Sequence, residues 1–427
     1  MTFLTYVCIS IFVKNREEWQ MRIVTGGVTA AKGFTAASTA AGIKYEGRKD
    51  MAMIVSEREA VSAGTFTSNV VKAAPVKWDM RLVTEEMYAR AVVVNAGIAN
   101  ACTGDEGIKY CRKTAEAVEK ALDIPANQVL VASTGVIGMQ LPMEKLEAGI
   151  SMMAPELEGT AESGLEAARA IMTTDTKPKE AAVAFEVGGK TVTLGGMCKG
   201  SGMIHPNMCT MLSFVTTDLA ISKELLQEAL RENVKDTYNM ISVDGDTSTN
   251  DTVLLLANGM AGNKEITEKG EDYQKFVEAL NAVNTALARK MAGDGEGATA
   301  LFETKVIHAD TKEHAKTLAK SVICSSLTKA AIYGHDANWG RILCALGYSG
   351  VDFDPERIEL FFESKSGRIL IYKDGVAADY SEEEATKILS DEEVTVLVDM
   401  KMGEAEAAAW GCDLTHEYVT INADYRS

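Results

Sequence analysis

Apolar and polar residues alternate over residues 181–187 and 190–194, two runs that flank Gly188-Gly189. A strand period on both sides of a glycine pair predicts a β-hairpin with a tight turn. The period changes at Tyr273, Phe276, Val277, Leu280, Val283, Leu287 and Met291. These recur three or four apart and predict a one-sided helix over 271–291. The glycine-rich run Gly293-Asp294-Gly295-Glu296-Gly297 then stops it. Apolar runs at 129–132 and 211–215 read as buried strands. Further on, 357–362 and 368–373 predict two strands joined by a short turn, 382–389 a short helix and 394–399 another strand. The fold class is α/β, with no repeat, low-complexity tract or Pro-rich linker to mark a boundary.

At 427 residues and 46% hydrophobic, the chain can fill one large core or two smaller ones. The formal charge of −18 argues against nucleic acid or an anionic membrane as partner, because phosphate would be repelled. Eight cysteines stand singly with no C-x-x-C pair, which fits neither a disulfide framework nor a zinc pattern and suits a reducing cytosol. Residues 3–13 are apolar but too few to span a bilayer. With no basic residue before them and no small-residue cleavage site after them, they fit a secretory signal poorly. Residues 1–20 are expected to be an extension outside the fold.

Three motif-like stretches fail on context. Gly188-Gly189-Lys190-Thr191 ends like a phosphate loop, but Ala184 stands where the first glycine is needed. Gly293-x-Gly295-x-Gly297 follows a helix rather than a strand, unlike a dinucleotide fingerprint. Asp244-x-Asp246-x-Ser248 starts like a calcium loop, yet Thr249 and Leu255 replace its glycine and its bidentate glutamate. The five histidines show no ligand spacing, so no metal is expected.

The segment Lys199-Gly200-Ser201-Gly202-Met203-Ile204-His205-Pro206-Asn207-Met208-Cys209-Thr210-Met211-Leu212 carries the densest chemistry. It sets a hydroxyl at the mouth of a strand-like run, after a flexible glycine loop that begins with a cation. The same residues fit a plain loop entering a buried strand. Thr134-Gly135, at the end of the 129–132 run, could aim a hydroxyl and an N–H at a developing oxyanion, or form an ordinary turn. Thr173 in Met172-Thr173-Thr174-Asp175 reads like a helix N-cap. Lys199 alone reads as a solvated surface lysine. Glu296, between two glycines, suits a ligand bearing ammonium groups.

Six strings in one order decide among these readings. They are Gly26-Gly27-Val28-Thr29-Ala30-Ala31-Lys32-Gly33, Asn95-Ala96-Gly97-Ile98-Ala99-Asn100-Ala101-Cys102-Thr103-Gly104 and Ala132-Ser133-Thr134-Gly135-Val136-Ile137-Gly138. Then come Ser242-Val243-Asp244-Gly245-Asp246-Thr247-Ser248-Thr249-Asn250-Asp251, Asp336-Ala337-Asn338-Trp339-Gly340-Arg341 and Tyr418-Val419-Thr420-Ile421-Asn422-Ala423-Asp424-Tyr425. Together with the segment before Thr210, they resemble the ornithine acetyltransferases, the glutamate N-acetyltransferases of arginine biosynthesis.

The resemblance implies a layered α/β body of that family's type, self-cleaved between Cys209 and Thr210 into two intertwined chains. These would be residues 21–209 and 210–427, assembled as a heterotetramer of two copies of each. The new N-terminal Thr210 would be the nucleophile, its α-amine (pKa about 7.7–8) serving as base. Thr134 and Gly135 match the oxyanion hole and Lys199 the active-site lysine. Thr173, Lys199, Thr210, Glu296, Asn422 and Ser427 match substrate contacts. The implied reaction moves an acetyl group from N2-acetylornithine to glutamate through an acetyl-Thr210 ester. It needs no cofactor, takes acetyl-CoA as a candidate co-substrate, and runs in the cytoplasm without nucleic acid or membrane.

Departures from the family pattern qualify this picture. Cys209 and Cys198 stand where alanine is usual, so a cut after Met208 would make Cys209 a rival nucleophile. Cys198 reads as a buried small hydrophobe. Ile98 replaces a common asparagine, and Ser427 a terminal threonine whose oxygen it keeps. Two other functions stay open: a self-processing aminopeptidase or amidase in which water is the acceptor, and a non-catalytic binding protein on the same scaffold.

Overall fold

The computed structural model describes residues 21–205 and 211–424. The expected extension, residues 1–20, lies outside them. The chain divides into two units that interleave in sequence. The first comprises Met1–Lys199, Asn207–Thr237 and Ser248–Leu287, and the second Gly200–Pro206, Tyr238–Thr247 and Ala288–Ser427.

The described residues of the first unit form a nine-stranded sheet. From one edge its order is Arg22–Ile23, Lys179–Val187, Lys190–Lys199, Leu212–Thr217, Thr252–Ala257, Met51–Phe66, Tyr88–Ile98 and Val129–Val136, with Phe34–Thr39 paired to Met51–Phe66. The 179–199 hairpin forms as its alternation predicts. Gly188 and Gly189 turn it with φ of 55° and 73°, the left-handed pair that a two-residue hairpin loop requires. Leu212–Thr217 and Thr252–Ala257 run parallel and are buried along their whole length. That explains an apolar run without alternation at the start of the first of them.

This sheet joins residues from both sides of the 209–210 bond. Leu212–Thr217 is laddered antiparallel to Lys190–Lys199, and Thr252–Ala257 antiparallel to Met51–Phe66. A chain cut at that bond would still be held by two ladders and the core around them.

The second unit has its own seven-stranded sheet among the described residues. Its order is Val376–Ala377, Gly367–Lys373, Glu359–Ser364, Glu393–Asp399, Leu301–Ala309, Ala405–Cys412 and Ile241–Ser242. Helix Lys312–Cys324 packs on its middle strands. The strand expected at 357–362 starts two residues later, at Glu359, because the Arg357 N–H is taken by a turn to the Asp354 carbonyl at 3.2 Å. Helix Glu382–Leu389 falls where predicted, capped by the Ser381 hydroxyl on the Glu384 N–H. Helix Glu271–Gly293 runs two residues beyond its predicted end. Among the described residues no helix is long and apolar enough to cross a membrane.

Candidate active site

Strand Lys190–Lys199 ends at Lys199, which pairs across the ladder with Leu212, two residues after Thr210 in the chain. Lys199 is only 8% exposed, so the reading as a solvated surface lysine fails. Its ammonium lies 3.8 Å from Asp175 Oδ2, while Lys179 Nζ sits 2.7 Å from Asp175 Oδ1. The Asp175 carboxylate is fully buried and also accepts the Thr173 N–H at 3.1 Å. One carboxylate therefore organises two ammonium groups and the Thr173 turn. Thr173 caps no helix; it follows the C-terminus of helix Ala161–Ala170. Burying charge this way is tolerable because each ion keeps a partner.

Thr134 and Gly135 sit within the ladder rather than at a turn. Strand Val129–Val136 pairs in parallel with Tyr88–Ile98, setting Thr134 opposite Ala96 and Gly135 opposite Gly97. The partner strand is long enough to carry the pairing past the apolar run, and the turn begins only at Ile137. Gly135 has φ 129°, and a Cβ there would stand 2.2 Å from the Gly97 carbonyl carbon. Only glycine fits where these two backbones meet.

Residues 248–252 tie this strand end to the one that begins at Leu212. The Asn250 side-chain amide donates to the carbonyls of Ala99 (2.6 Å) and Ser133 (2.8 Å). The Ser133 hydroxyl donates to Asn95 Oδ1 at 2.6 Å. Two residues on, the Thr252 N–H donates to the Met211 carbonyl at 2.8 Å. The Asp251 carboxyl between them is buried, the residue being 1% exposed. Burial pushes that carboxyl well above the usual range, against the opposing pull of Thr67, Ser248 and the Lys199 charge. Sequence reasoning assigned no role to Asn250 or Asp251, although the string that contains them was the available signal.

The second unit holds the other sequence-expected residues. Glu296 is 6% exposed, and its Oε2 accepts the Asn422 side-chain amide at 2.7 Å. Its N–H donates to the Ser201 carbonyl at 3.0 Å, and its carboxylate fills the space that a Gly202 side chain would occupy. Glu296 thus packs on the glycine loop that leads towards Thr210 in sequence. Asn422 lies on the short helix His416–Ala423. The neighbouring Tyr418 hydroxyl donates to Asp244 at 3.3 Å, and burial with the Asp244 and Glu296 charges holds its pKa far above the phenol range. Asp244 also accepts the N–H groups of Met203 and Ile204, so the aborted calcium-loop motif braces the glycine loop instead.

Cys198 is buried, with its thiol on the Leu287 carbonyl, as a small hydrophobe would be. Thr210, Cys209 and Ser427 lie outside the described residues. No group of three or more His, Cys, Asp or Glu that could hold a metal occurs among the described residues.

A model of the ArgJ family matches residues 35–427. The arginine biosynthesis bifunctional protein ArgJ of Thermotoga neapolitana is 50% identical over 397 residues, 93% of this chain and 99% of that one. Its counterpart in Symbiobacterium thermophilum is 50% identical over 409 residues, covering 95% and 100%. The chain belongs to the ArgJ family. Among solved structures, the ornithine acetyltransferase of Mycobacterium tuberculosis complexed with ornithine is 45% identical, covering 44% of this chain and 99% of that one with a TM-score of 0.41. Membership in the ArgJ family makes this chain an enzyme, a transferase of arginine biosynthesis. Three of the strings that carried the resemblance meet in one hydrogen-bonded network, through Asn95, Ser133 and Asn250.

Proposed function

We propose that this enzyme transfers an acetyl group from N2-acetylornithine to glutamate through an ester on Thr210. The chain first cuts itself between Cys209 and Thr210, and the fragments stay together as two copies of each. The freed amine takes the Thr210 hydroxyl proton as the oxygen attacks the acetyl carbonyl. Thr134 and Gly135 donate to the oxyanion, and Lys199 adds positive charge. Ornithine departs with the proton, and the glutamate amine then attacks the ester to release N-acetylglutamate, a ping-pong cycle.

Thr173 orients the acetyl donor, while Glu296, Asn422 and Ser427 bind its ammonium end. The cycle needs no cofactor and no metal and is set in the cytoplasm. The relatives are named bifunctional, and acetyl-CoA as a second acetyl donor is the second activity proposed for this chain.

The observation that carries this reading is the buried Lys199 ammonium, laddered to Leu212 two residues beyond Thr210, in a member of the ArgJ family. Intact-mass and N-terminal sequencing test it. The C-terminal fragment should begin Thr-Met-Leu-Ser, and N-acetylornithine should leave one acetyl group on it. A start at Cys209 would transfer the nucleophile role to cysteine. Acetate released without transfer would indicate an amidase, and an uncut chain a binding protein.

A further inference from the structure

One loop of the first unit gathers cations that the mechanism above leaves without a task. Residues 41–50 connect strand Phe34–Thr39 to strand Met51–Phe66 and form neither helix nor strand. The buried Asp50 carboxylate fixes the loop by accepting the N–H groups of Ala41 at 2.7 Å and Ile43 at 2.6 Å. Lys145 adds a third tie, its ammonium donating to the Gly42 carbonyl. Two further contacts set the loop against the first unit's share of the candidate site. A Cβ on Gly97, the residue opposite Gly135, would stand 2.9 Å from Lys44 Cβ and 3.6 Å from the Tyr45 ring. The Arg48 guanidinium donates at 2.5 Å to the carbonyl of Met172, the residue before Thr173.

Lys44 and Arg48 share one ring. Lys44 Nζ lies 5.2 Å and Arg48 Cζ 4.8 Å from the Tyr45 ring centroid, and all three residues are half-buried. Among the described residues no carboxylate pairs with either cation. Lys49 of the same loop, by contrast, takes Glu166 at 2.6 Å, and Asp50 directs both oxygens to backbone N–H groups. Glu46, the remaining acid of the loop, is exposed. An aromatic face offsets only part of a cation's lost hydration, and two like charges on one ring repel each other. Acidic residues outnumber basic ones by 61 to 43 in this chain, yet these two cations have none beside them. A bound anion would satisfy both.

The proposed acceptor supplies such an anion. Glutamate carries a side-chain carboxylate where N-acetylornithine carries an ammonium. A carboxylate suited to that ammonium, as Glu296 is, would repel it, and the Lys199 ammonium already has Asp175 at 3.8 Å. We propose that Lys44, Tyr45 and Arg48 form an acceptor subsite that binds the side-chain carboxylate of glutamate. This rests on the reading above, in which glutamate takes the acetyl group. The guanidinium, pinned at one nitrogen by the Met172 carbonyl, keeps further N–H donors for carboxylate oxygens, and Lys44 adds a point charge. The Tyr45 ring holds both cations together before the acceptor arrives, which lowers the cost of ordering them on binding.

Arg48→Gln and Lys44→Gln, made singly and assayed as fully cut enzyme, test the subsite with glutamate and glutamine as rival acceptors. Wild type should prefer glutamate. Each variant should raise KM for glutamate by about tenfold or more and narrow the glutamate-to-glutamine ratio of kcat/KM by a similar factor. That ratio is read within one preparation, so an inactive fraction cancels from it. Arg48→Lys should recover part of the preference. Ornithine release as N-acetylornithine acetylates the enzyme should stay within about twofold of wild type. An unchanged ratio, with both acceptors weakened alike, would make the loop a structural element and overturn the proposal while leaving the proposed function intact. A loss seen only with acetyl-CoA as donor would assign the cations to its phosphates and overturn the proposal too. Wild-type enzyme that passes its acetyl group to water and never to glutamate would defeat the proposed function and the subsite together.

Discussion

In the first unit the charged groups of the candidate site are locked in a closed cluster. Asp175 is shared by Lys179 and Lys199, all three are buried, and the Thr173 N–H also donates to it. In the second unit Glu296 meets a neutral amide from Asn422 and the bare backbone of Gly202, and among the described residues no cation pairs with it. The first arrangement holds Lys199 in place, and its charges are tied to the fold around them. The second leaves a carboxylate whose negative charge is unspent and suited to a ligand's ammonium group. The same kind of residue, a buried acid, is paired with two cations in one unit and with a neutral amide in the other.

Thr210→Ala should have the largest effect, since both cleavage and transfer in the proposed mechanism use that hydroxyl. Cleavage and acetyl transfer should both vanish while circular dichroism stays native-like. Residual cleavage at the same bond would show that another group attacks. Next, Asp175→Asn should strip a buried ion cluster of its carboxylate and lower stability by about 3–5 kcal/mol. Chemical denaturation measures this, and a loss below about 1 kcal/mol would mean the cluster is not closed.

Glu296→Gln sharpens the contrast. It should cut kcat/KM for N-acetylornithine about ten- to hundredfold, equivalent to roughly 1.5–3 kcal/mol, with cleavage and stability near wild type. If cleavage stops instead, Glu296 serves processing. The smallest change is expected from Asn422→Ala, which removes one hydrogen bond to Glu296 and should raise KM by less than about tenfold, the equivalent of roughly 1 kcal/mol. Steady-state transfer kinetics on fully cut protein would show it.

Much of the local structure was legible in the chain. The Gly188-Gly189 hairpin, the 271–293 helix and the 382–389 helix follow from periods of two and 3.6 with clear stop and cap residues. The strand through Thr134-Gly135 did not, because its last residues are held by a neighbouring strand and local sequence does not record a partner. The site was legible only as ordered strings. The last string carried Asn422 and the glycine-rich run after the 271–293 helix carried Glu296, and the structure places their side chains 2.7 Å apart across 126 positions of sequence.

What the sequence determined by itself is therefore what depends on neighbours along the chain: element type, turn chemistry, and a nucleophile candidate after a glycine loop. Tertiary structure decided burial and the partners of each charge. Lys199 reads as a solvent lysine until the sheet covers it and Asp175 meets it. Asp251 reads as one acid in a polar loop until strands from distant parts of the chain close around it and burial raises its carboxyl above the usual range. The energy of a charge is set by the dielectric and the partners around it, and those come from residues far away in sequence.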